Sequence, residues 1–483
     1  MRVKVKAKYI IAWENEKFVV FENGEMLYEN NEIKEIGKTI NLSYDEMIDY
    51  GNAIISPGFI DLNALGDIDH SLFYAEQDNL DKMIWSEKYF EMGAREAMSP
   101  EEEAFKSKYA FAQLISHGIT TAMPITCVYY KKAAETYEEM EAAVQNAKEI
   151  GIRAYLGPSY ISGMHVYDNI RKAQTVRYME KEGAKGLERA KEFAKKYNGA
   201  ANDMVRTVMV PERIELQTEE ILRETKRFTK DWNLIMRLHA AQSNFEYDFI
   251  QNKYHQSPIA YLKSIGLLDE KTLIPHVTHA SGNIEVEDKS DEDLKILRDA
   301  GSSVIHCPLV QARTGRVLNS FGRYERNGIN VCMGTDTFPT DFFEIIRLAS
   351  SMAMMINHNY KESYYKKFFE AVTINAAKAL GRDDLGRLCK GAKADFFVLD
   401  LNKFDIGVYD DPIRTMFMCA HGSDISHVII NGKTVLKDGK IVDFDYEKIQ
   451  YLAQRYYDKM KDSYISRSAF PKENFYQYSY EIK

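Results

Sequence analysis

Three histidines and one aspartate stand at the ends of four successive short apolar runs. His239 closes Leu234–His239, His276 closes Leu273–His276, His306 closes Ser303–His306, and Asp336 follows Asn330–Gly334. Taken singly, each histidine is as well explained by a hydrogen-bonded structural role. Taken together, their shared position is the signal. If each run is a strand of a parallel barrel, all four groups emerge at its C-terminal rim, where barrel enzymes keep their catalytic residues. A carboxylate beside imidazoles can abstract and return protons, so Asp336, His276 and His239 are the expected acid–base groups. His306, Asn63, Gln242 and His165 are the expected substrate contacts. His165 lies in the loop phrase Gly163-Met164-His165. Cys307, next to His306, stands out among the cysteines for the same positional reason.

Eight runs have the character of barrel strands: 53–60, 120–124, 153–158, 205–210, 234–239, 273–276, 303–306 and 330–334. Helical patterns separate them, as repeated βα units require. One such helix has a clear start in Ser99-Pro100-Glu101-Glu102-Glu103 and is expected to end near Gly118. The class expected is α/β, a (β/α)8 TIM-like barrel over residues 56–390. Both chain ends are instead rich in short strands. Phe18-Val19-Val20-Phe21 and Met26-Leu27-Tyr28 flank Asn23-Gly24, which predicts a hairpin turn there. Asn431-Gly432 and Asp438-Gly439 predict two more near the other end. Residues 1–55 and 391–445 are therefore expected to build one composite β-sandwich domain. A helix from Tyr446 to about Lys461 and an aromatic tail, Phe470 to Tyr480, should follow within 446–483.

The composition excludes several classes of function. With 483 residues, 45% hydrophobic and 28% charged, the chain has the make-up of a folded globular protein. A net charge of −9 argues against nucleic acid or an anionic membrane as partner. No apolar run approaches the roughly 20 residues that span a bilayer, and the N-terminus lacks a signal-type apolar stretch. A cytoplasmic location is expected. The five cysteines are scattered and form no Cys-x-x-Cys pair, so buried reduced thiols are expected. The 31 Tyr and 24 Phe are assigned to core packing, with a few beyond strand ends able to line a pocket for a flat ligand.

Several phrases resemble the amidohydrolase superfamily. Pro57-Gly58-Phe59-Ile60-Asp61 is similar to its first barrel strand, and Ile115-Ser116-His117-Gly118-Ile119-Thr120-Thr121 to its entry into the second. His306-Cys307-Pro308, Gly334-Thr335-Asp336, the stretch 373–381 and the return Gly386-Arg387-Leu388 to Asp395 complete the likeness. The nearest branch is that of chlorotriazine hydrolases, guanine deaminases and adenosine-type deaminases. The resemblance implies a hydrolase acting on carbon–nitrogen bonds of a small nitrogenous substrate, as a homodimer or higher homo-oligomer. It also implies that His239 and Asp336 match metal ligands, that Asp336 handles a water proton, and that His276 bonds the nucleophile or the attacked group.

The departures from that pattern are specific. Where the family carries His-x-His on the first strand, this chain has Asn63 and Leu65, and where it carries a proton-shuttling Glu, it has Gln242. Leucine has no donor atom, and an amide oxygen is a weak, hard ligand. No cofactor is therefore expected, the site being remodelled and metal-free. If an ion is bound, it should be one divalent ion such as zinc, held by His239 and Asp336 with Asp67, Asp69 or His70. The plainer reading of Asp67-Ile68-Asp69-His70 is a polar loop with a helix N-cap. A catalytically silent barrel that binds a ligand or partner is the remaining alternative.

Overall fold

The computed structural model describes residues 1–69, 71–74, 98–126, 135–168, 170–316 and 321–467. His70, Tyr129-Tyr130 and the aromatic tail lie outside these residues.

Eight parallel strands follow one another around a nearly closed barrel. In the chain-wide numbering used below they are β6 (Phe59–Leu65), β7 (Ile119–Ile125), β8 (Arg153–Leu156), β11 (Val205–Met209), β12 (Ile235–Arg237), β13 (Thr272–Pro275), β14 (Ser303–His306) and β15 (Val331–Met333). The two outermost strands, β6 and β15, meet without a ladder. Asp336 N–H donates to the Asn63 carbonyl at 2.9 Å, and Thr335 N–H to Asp61 at 3.2 Å. Gly334 allows this approach, because a Cβ there would stand 2.7 Å from the Cβ of Asn63.

Side-chain alternation sorts each strand into an inner and an outer face. Ile60, Leu62, Met123, Tyr155, Val208, Ile235, Leu273, Ile305 and Cys307 fill the barrel interior. Met236, Leu238, Ile274 and Val304 pack outward against the helices. The helix Pro100–Ser116 shows how the outer layer is started. Ser99 caps it, and Glu102 returns the bond to the Ser99 amide at 2.8 Å.

The run 53–60 does not stay in one piece. Ala53–Pro57 (β5) pairs with strands from the two chain ends, and the barrel strand begins only at Phe59. Gly58 is the switch: a Cβ there would fall 2.2 Å from Thr120, so only glycine lets the chain pass between the two sheets at this point. As a result, Asn63 and Leu65 sit on the barrel strand and not in a loop after it.

The chain ends form a nine-stranded sheet. It is built from β1 (Arg2–Glu14), β2 (Lys17–Glu29), β3 (Glu32–Gly37), β4 (Glu46–Asp49), β5, β16 (Phe396–Asp400), β17 (Ile425–Ile430), β18 (Lys433–Lys437) and β19 (Lys440–Ile441). Asn431-Gly432 and Asp438-Gly439 turn as expected. Asn23-Gly24 does not, because it lies inside β2. The hairpin instead turns at Asn15-Glu16, both at positive φ, which lets β1 and β2 pair over thirteen residues each. A buried ion pair ties this sheet to the barrel: Arg153 donates twice to Asp395, at 3.0 and 3.3 Å.

The last helix, Tyr446–Arg467, runs longer than expected. It lies against Pro100–Ser116, with Tyr456 edge-on to Phe105 at 5.0 Å. Among the described residues no helix is long and apolar enough to cross a membrane.

Candidate active site

The C-terminal mouth of the barrel collects the expected groups. His239 lies just beyond β12, its Nδ1 2.8 Å from the Glu212 carbonyl. That contact fixes the ring, whose centroid lies 5.4 Å from that of the neighbouring imidazole of His276. His276 follows β13 in the left-handed region, at φ 70°. Its Nδ1 contacts the Gln311 amide at 2.8 Å, and its Nε2 stands 3.6 Å from Asp336 Oδ2. Asp336, at φ 58°, accepts from Asn63 Nδ2 at 3.0 Å. Two positive-φ residues on facing strand ends are the kind of backbone strain that working sites hold.

His306 is near enough to His276 to lower its pKa. Ile305 and Cys307 belong to the inner face of β14, whereas the His306 ring stands 6.1 Å from Phe321 of the outer layer. It is Cys307 that reaches the mouth, with its Sγ 3.7 Å from Asn63 Nδ2. The period-two alternation of the strand could have shown this from the sequence, since Ile305 and Cys307 share a face.

Burial sets the electrostatics. It pushes Asp336 up to about 7, helped by Asp61 and Asp69 and opposed by Arg213 and Arg237. It raises Asp61, which accepts from Thr335 and from the Asn63 amide, to about 6. His239 and His276 fall well below the ordinary imidazole value, through burial first and then the nearby Arg213. Burial alone takes His306 to about 3. The histidines are therefore neutral, and Asp336 is the group balanced near neutrality. Arg237, on the same face of its strand as Ile235, crosses the interior to donate to the carbonyls of Met123 at 2.6 Å and Pro124 at 2.8 Å. Burial brings even this guanidinium down to about 10, while Glu135, Asp336, Asp61 and Glu212 support its charge.

A cavity meets these groups at His239 and Arg237 and is lined further by Glu212, Glu135, Ser159 and Pro124 among others. Glu212, Arg213 and Gln311 escaped the sequence reading. The first two follow a strand end, which is a signal, but the contact of Gln311 with His276 comes from a helix 35 residues away and leaves no local trace.

The remaining expected residues serve other contacts. Gln242 accepts from Arg213 at 2.5 Å. His165 lies on β9 (Gly163–Asp168), a strand of a two-stranded ribbon with β10 (Ala173–Tyr178), and pairs with Glu215 at 2.9 Å. Asp67 lies 3.4 Å from Lys106. Asp69 holds two loops together, accepting from the Ser71 amide at 2.7 Å and from Thr337 Oγ1 at 2.6 Å.

Residues 54–435 match the amidohydrolase family. The 5-methylthioadenosine/S-adenosylhomocysteine deaminase of Pyrococcus abyssi is 26% identical over 432 residues, covering 88% of this chain and 92% of its own. The 5'-deoxyadenosine deaminase of Methanosphaera stadtmanae is 25% identical over 439 residues, covering 90% and 94%. In structure, an adenosine deaminase from Xanthomonas campestris with bound zinc superposes at TM-score 0.77, with 17% identity, over 95% of this chain and 98% of that one. The zinc-complexed atrazine chlorohydrolase of Arthrobacter aurescens TC1 gives 0.76 with 18% identity, over 94% and 100%.

The zinc in those two structures invites a test of the donors here. On β6, Leu65 offers no donor atom and the amide of Asn63 turns its nitrogen to Asp336. Among the described residues one group of three donors is compact enough to share an ion: His276, Cys307 and Asp336. That trio removes the ground for expecting no metal.

Proposed function

Because the chain belongs to the amidohydrolase family, we propose that it is a hydrolase that deaminates a small, nucleoside-like substrate at an electron-poor ring carbon. The observation that carries this reading is the convergence of Asp336, His276 and His239 at one mouth of the barrel, beside a cavity. The two deaminases above support the substrate class, since each aligns with this chain almost end to end.

The chain's own groups suffice to balance the protons. A water held between Asp336 and the ring carbon gives one proton to the Asp336 carboxylate as its oxygen bonds to the carbon. Asp336 returns that proton to the amino nitrogen, the carbon–nitrogen bond breaks, and ammonia leaves. A base that titrates near 7 can both take and return a proton at neutral pH. His276 lies close enough to Asp336 to orient the carboxyl. The fixed ring of His239 presents Nε2 to water or substrate. Gln242 cannot donate a proton to the ring nitrogen; Glu212, which lines the cavity with His239, is raised by burial and opposed by its ion pair with Arg213 at 3.1 Å. A silent, ligand-binding barrel gives no reason for three ionisable groups to be buried together at the rim, where each costs desolvation.

The test is ammonia release from 5'-methylthioadenosine, S-adenosylhomocysteine, 5'-deoxyadenosine and adenosine. At least one should yield ammonia with the wild-type chain and none with Asp336→Asn. Silence with all four would overturn the substrate class, and ammonia from D336N would overturn the assignment of the base.

A further inference from the structure

We propose that His276, Cys307 and Asp336 form a binding site for one thiophilic divalent cation such as zinc, with the Asn63 amide oxygen as a weak fourth donor. The proposal rests on the reading above only for the mouth being the working site. It differs from the arrangement the family resemblance implies in taking a thiolate from the residue after β14 in place of imidazoles from β6, and His276 in place of His239.

Geometry is the first support. One donor atom from each of the three residues lies within 4.8 Å of the others, and His276 Nε2 is already 3.6 Å from Asp336 Oδ2. Tetrahedral zinc, with bonds of about 2.0 Å to nitrogen and 2.3 Å to sulfur, needs donors roughly 3.3–3.8 Å apart. Side-chain rotation through about 1 Å closes that difference. The donors come from the ends of three successive strands, so the backbone already holds the frame. Cys307 has little else to bind. Its contacts are to Asn63 at 3.7 Å and the Ile305 carbonyl at 3.8 Å, both long.

Two orphaned atoms supply the second support. Gln311 Oε1 and Asn63 Oδ1 are buried without a hydrogen-bond partner, and both belong to amides whose nitrogens face this trio. Turning each carboxamide by half a turn exchanges nitrogen for oxygen with no change of shape. Gln311 Oε1 then accepts from His276 Nδ1–H, which frees the Nε2 lone pair for a metal and fixes the ring as outer partners of ligating histidines do. Asn63 Oδ1 then faces Asp336 and Cys307, where a cation would give it a partner once the thiol and carboxyl protons are displaced. A neutral amide oxygen is a weak ligand and leaves that position exchangeable, as a catalytic centre requires.

The donor set also selects the ion. Sulfur with imidazole nitrogen favours zinc and its soft neighbours over magnesium or calcium. Binding displaces the Cys307 thiol proton, and the Asp336 proton where present, to solvent. No electron is transferred.

Cobalt(II) reports a thiolate ligand directly. The full-length protein, stripped of metal by a chelator, is titrated with cobalt(II) alone. About one equivalent should bind and raise a near-ultraviolet thiolate-to-cobalt charge-transfer band. Cys307→Ser should lose the band and weaken binding by about tenfold or more, at least as much as losing an outer-shell partner costs. Cys332→Ser, at a buried thiol on β15, should keep it. No bound cobalt, bound cobalt without the band, or a band that survives C307S would each overturn the proposal. If C307S does not fold, X-ray absorption of the wild-type cobalt protein decides: a sulfur neighbour supports the site and its absence refutes it. Ammonia release is recorded separately. A thiolate band without deamination counts against the function alone, and deamination without a band counts against this site alone.

Discussion

The two halves of the barrel mouth are unequal. On the β12–β15 side the strand ends carry His239, His276, Cys307 and Asp336, all buried or nearly so. On the β6 side the matching strand carries Asn63 and Leu65, and the seven residues of β6 are wholly buried. The shape of the two halves is nonetheless continuous, because the backbone joins them. Asp336 N–H bonds to the Asn63 carbonyl, Thr335 to Asp61, and Gly334 lets the chains touch. The difference teaches that a rim can keep its architecture through main-chain bonds while its donors change. On the proposed function, the acid–base groups come from one half and the other half supports them.

Removing the working carboxylate should have the largest effect. Asp336→Asn is expected to lower kcat for ammonia release by roughly 10²–10⁴, the size of a lost acid–base group. The same substitution in the supporting half should do little: Leu65→Ala, at a side chain with no donor, should leave kcat within a few-fold. A large loss in L65A would erase the contrast between the halves.

The next effect concerns stability and lies away from the mouth. Arg153→Leu leaves Asp395 buried and unpaired, which costs about 3–5 kcal/mol where one partner of such a pair is removed. Chemical denaturation should show that loss with cobalt stoichiometry unchanged. A loss of cobalt in R153L would mean that the site depends on the docking of the β sheet.

Smaller still is the seam between the halves. Gly334→Ala puts a methyl against the Cβ of Asn63, an overpacking that costs about 1–3 kcal/mol. It should also weaken cobalt binding, because it moves the strand end that carries Asp336. The smallest effect is on pH dependence. Asp336 titrates near 7 and burial raises the Cys307 thiol, so protons compete with a metal for both. Cobalt affinity should therefore fall as pH drops across the whole neutral range, through the thiol, and more steeply below about 7, through Asp336; a flat profile would exclude both groups as ligands.

Much of this frame was legible from local patterns. Seven of the eight apolar runs fall on a barrel strand, because a strand buried on both faces is apolar along its length. The Ser99 cap and the Asn431-Gly432 turn were legible because one or two residues determine them. Asn23-Gly24 misled because the pairing of β1 and β2 over their whole length outweighs a local turn preference. The run 53–60 concealed a change of sheet, since an apolar run does not say which neighbour it pairs with, and Gly58 alone marks the switch. At the site, strand ends predicted His239, His276 and Asp336 at the mouth. The inward turn of Cys307 was legible in the strand's alternation, since it shares a face with Ile305. Arg237 and Gln311 reach the site from the strand interior and from a helix, so their roles depend on contacts that sequence spacing does not record.

The most direct test of the division between the halves is anomalous diffraction from crystals grown with cobalt(II). The account predicts one peak bounded by His276 Nε2, Cys307 Sγ and an Asp336 carboxylate oxygen. A peak beside His239 with no sulfur near it, or no peak at all, would contradict it.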